Sequence, residues 1–306
     1  MPFKLNAYLP SKQLEVQIKE LCYKQYRELV KSLYNTDKKE TLQQYNSILE
    51  DLCPDIVGKD ITFEDKLYLL LTVRNYCVSP DLKLKCTLPD KTTFNYTIPV
   101  DTIITKVKNI NKSGKVTVDD IAVEYSSYKV RDEHVFLSNN KDILVVLASY
   151  IDNIKTDTLN VDFKDFPLNE RTMIINSLPQ SVVNELIKSI VAKEEELNLI
   201  DLILVKDPTN DKTLLRLSCS VTFEVLQKMI EFLFTENLNN IYRTLYNAVK
   251  HLDFTPEYVD SITPVEIQVY WMYFMQDKAE AAKNNTQNPS PGFNPPTSTP
   301  NSELGF

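Results

Sequence analysis

Apolar residues along the chain change period several times, and each change marks an element. Over Lys4 to Leu9, and again through Leu14, Val16 and Ile18, apolar and polar residues alternate. With Pro10-Ser11-Lys12 between the two runs, this predicts a hairpin. Tyr23, Tyr26, Leu29, Val30 and Leu33 then fall three and four apart, as on one helix face. After a break at Asn35-Thr36-Asp37 the spacing returns through Leu42, Tyr45, Ile48, Leu49 and Leu52, with Asp37 placed to start a second helix that ends at Cys53-Pro54. The stretch from Asp60 to Pro99 organises this half. Asp60 or Thr62 can cap a helix whose first turn holds Glu64 and Asp65, where the dipole favours negative charge. From Leu67 to Val73 that helix is apolar on nearly every face, which predicts burial. Leu82, Leu84, Cys86 and Leu88 then alternate with polar residues, Pro89-Asp90-Lys91 turns, and Phe94, Tyr96 and Ile98 alternate on the return.

Beyond residue 100 the pattern is less regular. Thr102-Ile103-Ile104-Thr105 is rich in β-formers, Asn111-Lys112-Ser113-Gly114 reads as a turn, and Val116, Val118, Ile121, Val123 and Tyr125 look extended. Helices are predicted over Asn139 to Ile154, from Pro167, and over Pro179 to Leu199. A strand pair lies within 201–218, turning at Asp207-Pro208-Thr209-Asn210. Three further helices follow: Phe223 to Phe234, Ile241 to Leu252, and Thr263 to Lys283. In the last, Thr263, Pro264 and Glu266 make a capping-box start. Its apolar residues, Val265, Ile267, Val269, Tyr270, Trp271, Tyr273 and Phe274, are too many for a single stripe.

The predicted class is α+β: predominantly helical, an N-terminal hairpin and small antiparallel strands packed on a buried helix, then a mainly helical second part. The expected boundaries are 1–130, 131–283 and a tail at 284–306. The tail is rich in Asn, Ser, Thr and Pro and poor in apolar residues, so it is expected to be disordered.

Composition narrows the function. The 306 residues carry a net charge of −8, with 43% hydrophobic residues and no basic block, which argues against nucleic-acid binding. No apolar run approaches a membrane span, and the N-terminus does not resemble a signal peptide, so a cytoplasmic-type chain without membrane attachment is expected. The five cysteines, Cys22, Cys53, Cys77, Cys86 and Cys219, are odd in number and lack C-x-x-C spacing, which favours reduced, buried thiols.

Catalytic equipment is sparse. Four glycines (Gly58, Gly114, Gly292, Gly305) cannot build a phosphate loop. The two histidines, His134 and His251, read as surface or structural. Asp157, Asp162 and Asp165 lack the spacing and glycine turn of a calcium loop and read as a solvated connector. Adjacent Asp119 and Asp120 read as a turn, not an acid–base pair. Arg74 lies inside the buried helix, where an unpaired guanidinium is costly, so it must meet a carboxylate or carbonyls. No catalytic residue, cofactor or metal ligand is expected.

The order of features is similar to a known family. Leu9-Pro10-Ser11 closes the hairpin, Lys24-Gln25-Tyr26 opens a helix and a second helix ends at Cys53. Asp65-Lys66-Leu67-Tyr68-Leu69-Leu70-Leu71 then runs to Arg74, and Val116-Thr117-Val118-Asp119 follows. With Leu252-x-Phe254-Thr255, Pro264-x-Glu266 and Tyr270 near the C-terminus, the chain resembles the baseplate hub subunit and hub-assembly family of T-even-like contractile-tailed bacteriophages. The resemblance covers residues 5 to 125 and 220 to 280, not 130 to 220 or the tail. It implies a non-enzymatic structural or assembly protein that meets other hub or tail-assembly proteins, in the host cytoplasm during assembly or in the tail baseplate of the virion. Self-association stays open. Aromatic enrichment at interfaces points to Tyr270, Trp271, Tyr273, Phe274 and Met275 as part core and part docking surface, with all five in the core as the equal alternative. A cytoplasmic regulatory or scaffold module is the competing reading, and a hydrolytic enzyme a weaker one.

Overall fold

Alternation at the N-terminus yields a two-stranded ribbon: β1 (Lys4–Leu9) and β2 (Leu14–Lys19) pair antiparallel and bury Ala7, Leu9, Val16 and Ile18 on one side. The computed structural model describes residues 4–11, 14–88, 90–137, 142–234 and 236–287. Lys12 and Pro89 of the expected turns, the helix start expected at Asn139, and the tail from 288 lie outside the described residues.

Helices α1 (Tyr23–Ser32) and α2 (Lys38–Leu52) follow, the second capped by Asp37, which accepts from the amides of Lys39 and Glu40. α3 (Phe63–Cys77) is the buried helix. Thr62 is its cap, and Asp65 answers by accepting from the Thr62 amide at 3.0 Å. The same carboxylate accepts from the Ser11 amide and hydroxyl, tying α3 to the first ribbon. β3 (Asp81–Thr87) and β4 (Thr93–Pro99) pair as the alternation requires, with Leu82 opposite Ile98, Leu84 opposite Tyr96 and Cys86 opposite Phe94.

The β-rich reading of Thr102 to Thr105 is corrected: these residues lie in α4 (Val100–Lys108). Val100, Ile103, Ile104 and Val107 repeat at helical spacing and are buried where α4 packs on α3. Asp101 in the first turn, with Lys106 and Lys108 in the last, complements the dipole. A helical stripe overrode β-branched propensity.

β5 (Gly114–Val118) and β6 (Ile121–Tyr125) form a tight hairpin on Asp119 and Asp120, with Asp119 at φ +54°. A 3-10 helix (Val130–Leu137) leads to α5 (Ile143–Tyr150). The helix expected to reach Ile154 stops at Tyr150, because Ile151–Lys155 becomes β7 and pairs with β6, Ile154 opposite Val123. β8 (Asn160–Asp162) completes a four-stranded antiparallel sheet ordered β5-β6-β7-β8. Within the presumed acidic connector, Asp162 accepts from the Lys164 amide and Phe163 is fully buried.

α6 (Leu168–Asn176) and α7 (Gln180–Asn198) follow, and α7 packs on β5. β9 (Asp201–Lys206) and β10 (Thr213–Ser218) form the strand pair expected within 201–218. The chain then gives α8 (Phe223–Leu233), α9 (Leu238–His251), a short α10 (Pro256–Ser261) that the pattern had not revealed, and α11 (Pro264–Gln287). α11 runs past the expected limit at Lys283. The architecture is α+β, mainly helical, with small antiparallel sheets.

Two apolar cores result. The smaller joins the four-stranded sheet to α5 and α7 through Val116, Val123, Ile154, Val182 and Leu186. The larger surrounds α3 and draws on both ends of the chain, from Ala7 to Ile267. Arg74 helps close it: its Nε donates to the Leu233 carbonyl at 2.7 Å and Nη1 donates to the carbonyl of Ser79. Carbonyls, not a carboxylate, satisfy this guanidinium, and burial pushes its pKa down from the ordinary value.

Candidate docking surface

α10 and α11 are fastened to the body at one end. The Ile262 carbonyl accepts from the Tyr23 amide at 2.7 Å, and Asp260 receives both terminal nitrogens of Arg27 at 2.8 and 3.1 Å. Thr263 and Glu266 close the expected capping box: the Thr263 amide donates to Glu266 Oε2 at 2.7 Å and the Glu266 amide donates to Thr263 Oγ1 at 3.3 Å. Ile267 then enters the larger core. Beyond Ile267 the apolar residues of the helix divide between a side that meets α9 and Phe254 and a side that is exposed.

Trp271 and Phe274 are half-buried and stack with ring centroids 5.2 Å apart. His251, at the end of α9, stands about 6 Å from both rings, at 6.0 and 5.9 Å. Phe254 meets Tyr258 and Tyr270 edge-on at 4.9 and 5.1 Å, and the two tyrosine hydroxyls lie 3.4 Å apart. That hydrogen bond to Tyr270 raises the Tyr258 pKa. The opposite side of α11 has no such cover among the described residues: Tyr273 is 55% exposed, Met275 53% and Met272 47%, while Tyr270, edge-on to Phe254, keeps 39% of its surface open. Of the five residues singled out from sequence, Tyr273 and Met275 are surface, Tyr270 stands at the margin against Phe254, and Trp271 and Phe274 face inward.

Sequence reasoning missed Val269 and Met272 on the same open side, and Tyr242 and Tyr246 on α9, all exposed. The signal was present for the tyrosines. They sit one turn apart and outside the α9 stripe, in which Ile241 and Ala248 are buried. Lys250 lies over the Tyr246 ring at 5.3 Å and Lys278 over Phe274 at 5.1 Å, so cations line the aromatic surface. A helix apolar on both sides with only one side covered is the arrangement of a docking element.

The candidate reactive groups are dispersed. His134 is exposed on the 3-10 helix and His251 is exposed at the end of α9. Cys53, Cys77 and Cys219 are buried free thiols; burial pushes Cys53 up to about 12 and Cys77 up to about 11. Among the described residues, no group of three or more His, Cys, Asp or Glu is placed to hold a metal ion, and no helix is long and apolar enough to cross a membrane.

Residues 2–209 match the family model described as T4 bacteriophage base plate protein. The match runs through 130–209, where the sequence resemblance had not reached, and ends in the turn between β9 and β10. No curated protein and no solved structure matches the chain. With more than half of its length covered by that model, the chain belongs to the T4 bacteriophage base plate protein family.

Proposed function

We propose that this protein is a non-enzymatic component or assembly factor of the hub at the centre of a contractile-tail baseplate, and that it acts through protein–protein interfaces. The observation that carries the reading is α11: a helix whose outer side exposes Val269, Met272, Tyr273 and Met275, in a member of a baseplate family. Exposed Met and Tyr flanked by cations are the chemistry of an interface, not of a soluble face. The partners in this reading are other hub or tail-assembly proteins, met in the host cytoplasm during assembly or in the baseplate itself. The family match weighs against the regulatory-module alternative.

Imaging of tails from a phage lacking this gene tests the reading, and normal baseplates in that mutant defeat it. The surface has its own test. Met272→Glu with Tyr273→Glu changes exposed positions only, so the melting temperature should hold. Complementation should fail, since losing a pair of central anchors weakens an interface by about 2 kcal/mol or more, roughly thirty-fold. Full complementation by that double variant would remove α11 from the mechanism.

A further inference from the structure

The free edge of β3 has features that neither the core nor the α11 surface uses. Leu88 donates to the Thr92 carbonyl at 2.8 Å and Val100 to the Pro80 carbonyl at 2.8 Å. Antiparallel alternation then makes 82/98, 84/96 and 86/94 the hydrogen-bonded pairs. The amides and carbonyls of Lys83, Lys85 and Thr87 therefore point away from β4. Among the described residues, no hydrogen bond engages them. They open onto a groove of about 1000 Å³ that takes in the whole of β3, with half-buried Leu215 and Phe232 on its far wall.

Asp81, Glu231 and Glu236 also line the groove, Glu231 paired with Lys38, so it is the solvent face of β3 whose charge defines what fits. Lys83 and Lys85 are exposed on one face of β3, and their cross-strand neighbours on β4 are neutral, Thr97 and Asn95. Neither lysine makes an ion pair among the described residues. The opposite face of β3 presents Leu82 and Leu84, with half-buried Cys86, toward the core. We infer that this edge accepts an extended segment of a neighbouring protein, added as a third strand, in which apolar residues alternate with aspartate or glutamate. Its backbone would satisfy the orphan groups of Lys83, Lys85 and Thr87. Its apolar residues would continue the Leu82–Leu84 face over Leu215 and Phe232, and its carboxylates would stand opposite the two lysines.

The same lysines exclude other occupants. A second copy of β3 would set lysine against lysine, which is how edge strands avoid self-pairing. The protein's own C-terminal tail is a poor strand, since Pro289, Pro291, Pro295, Pro296 and Pro300 lack amide donors and Glu303 is its single acid. The inference is independent of the hub reading: it concerns what β3 recognises, in whatever assembly the protein serves.

Binding of short synthetic peptides to the full-length chain tests it, read by fluorescence anisotropy and by amide hydrogen exchange. A peptide alternating valine with glutamate should bind about tenfold or more tighter than its lysine counterpart, and the Lys83→Glu, Lys85→Glu variant should reverse that order. At saturation, exchange should slow at the amides of Lys83, Lys85 and Thr87, and N-methylation of alternate peptide amides should abolish binding. Equal affinity for the two peptides, unchanged exchange at those three amides, or no binding of either peptide overturns the inference. The variant alters only exposed side chains, so it folds under either outcome.

Discussion

Arg171 reaches out of α6 to Asp132 with both terminal nitrogens, at 2.8 and 2.6 Å, and donates also to the Ala148 carbonyl at 2.9 Å. Both side chains are almost wholly buried, so the pair stands or falls together. Asp132→Ala should cost about 3–5 kcal/mol in chemical denaturation, because it strands a buried guanidinium. Changing both residues to leucine should recover much of that loss. The thiols give a second expectation, with a definite sign. Cys53 and Cys77 titrate at about 12 and about 11 when folded, against 9.0 for a free thiol, since burial disfavours the thiolate. A group whose folded pKa is raised contributes stability that is complete below the unfolded pKa and is lost as pH climbs to the folded value. Unfolding free energy should therefore fall as pH rises from 9 toward 11, by roughly 3 kcal/mol at pH 10 from the two groups together. A flatter profile in the Cys53→Ala, Cys77→Ala variant would identify the source, and an unchanged one would clear them. Sequence showed that Arg74 needed partners, because a charge inside an apolar run is locally visible. It did not show the same for Lys66, whose partner Glu133, at 2.8 Å, lies on another element far along the chain. A buried charge can be read locally; its counter-charge cannot.

Where an element's period was unambiguous, the reading and the structure agree: the first ribbon, α1 to α3, the β3–β4 pair and the β9–β10 pair all lie where alternation or helical spacing put them. Disagreement came where two tendencies competed. Thr102 to Thr105 carry β-forming side chains, yet burial of Val100, Ile103, Ile104 and Val107 against α3 selected the helix. The helix read from Asn139 reached Ile154, yet β6 offered a ladder and took Ile151–Lys155 as a strand. For α11 the excess of apolar residues was legible as a surface-and-core mixture, but which residues faced out depended on where α9 and Phe254 lay. Gly114 shows how closely one of these elements is fitted. A Cβ there would stand 2.3 Å from the Tyr125 ring, which is buried and held by a 2.7 Å hydrogen bond between its hydroxyl and Ser189. Gly114→Ala should therefore destabilise by about 1–3 kcal/mol in thermal or chemical melts, through overpacking of the β5–β6 pair. A neutral result would mean that the Tyr125–Ser189 contact yields freely.

At the scale of the whole molecule, the family match and the fold end in different places. The matched segment stops at residue 209, inside the turn that joins β9 to β10. The larger core continues through Leu226, Met229, Ile230 and Leu233 of α8 and Phe234 just after it to Ile267 of α11. Phe223 lies with its ring 6.0 Å from Phe63 and 6.2 Å from Phe136, so the aromatic centre beside α3 is shared across that boundary. Polar closure is shared too. Lys112, buried against Glu64 and Glu194, also donates to the Val221 carbonyl at 2.8 Å, Arg74 donates to that of Leu233, and the Tyr23 hydroxyl to that of Ile241 at 2.8 Å. A chain ended at 209 would lose the second strand of a ribbon and uncover one side of its central helix, and each of these buried donors would lose an acceptor. Several effects of a few kcal/mol each exceed the ordinary stability margin of about 5–15 kcal/mol. The fragment 1–209 should accordingly bind a hydrophobic dye, lack near-ultraviolet circular dichroism and unfold without a cooperative transition, while the chain 1–287 unfolds sharply. Cooperative melting of 1–209 would show instead that the matched segment is self-sufficient and that α8 to α11 are an addition to it. On the packing seen around α3, the baseplate family segment and the C-terminal helices share one core, which α11 joins at Ile267.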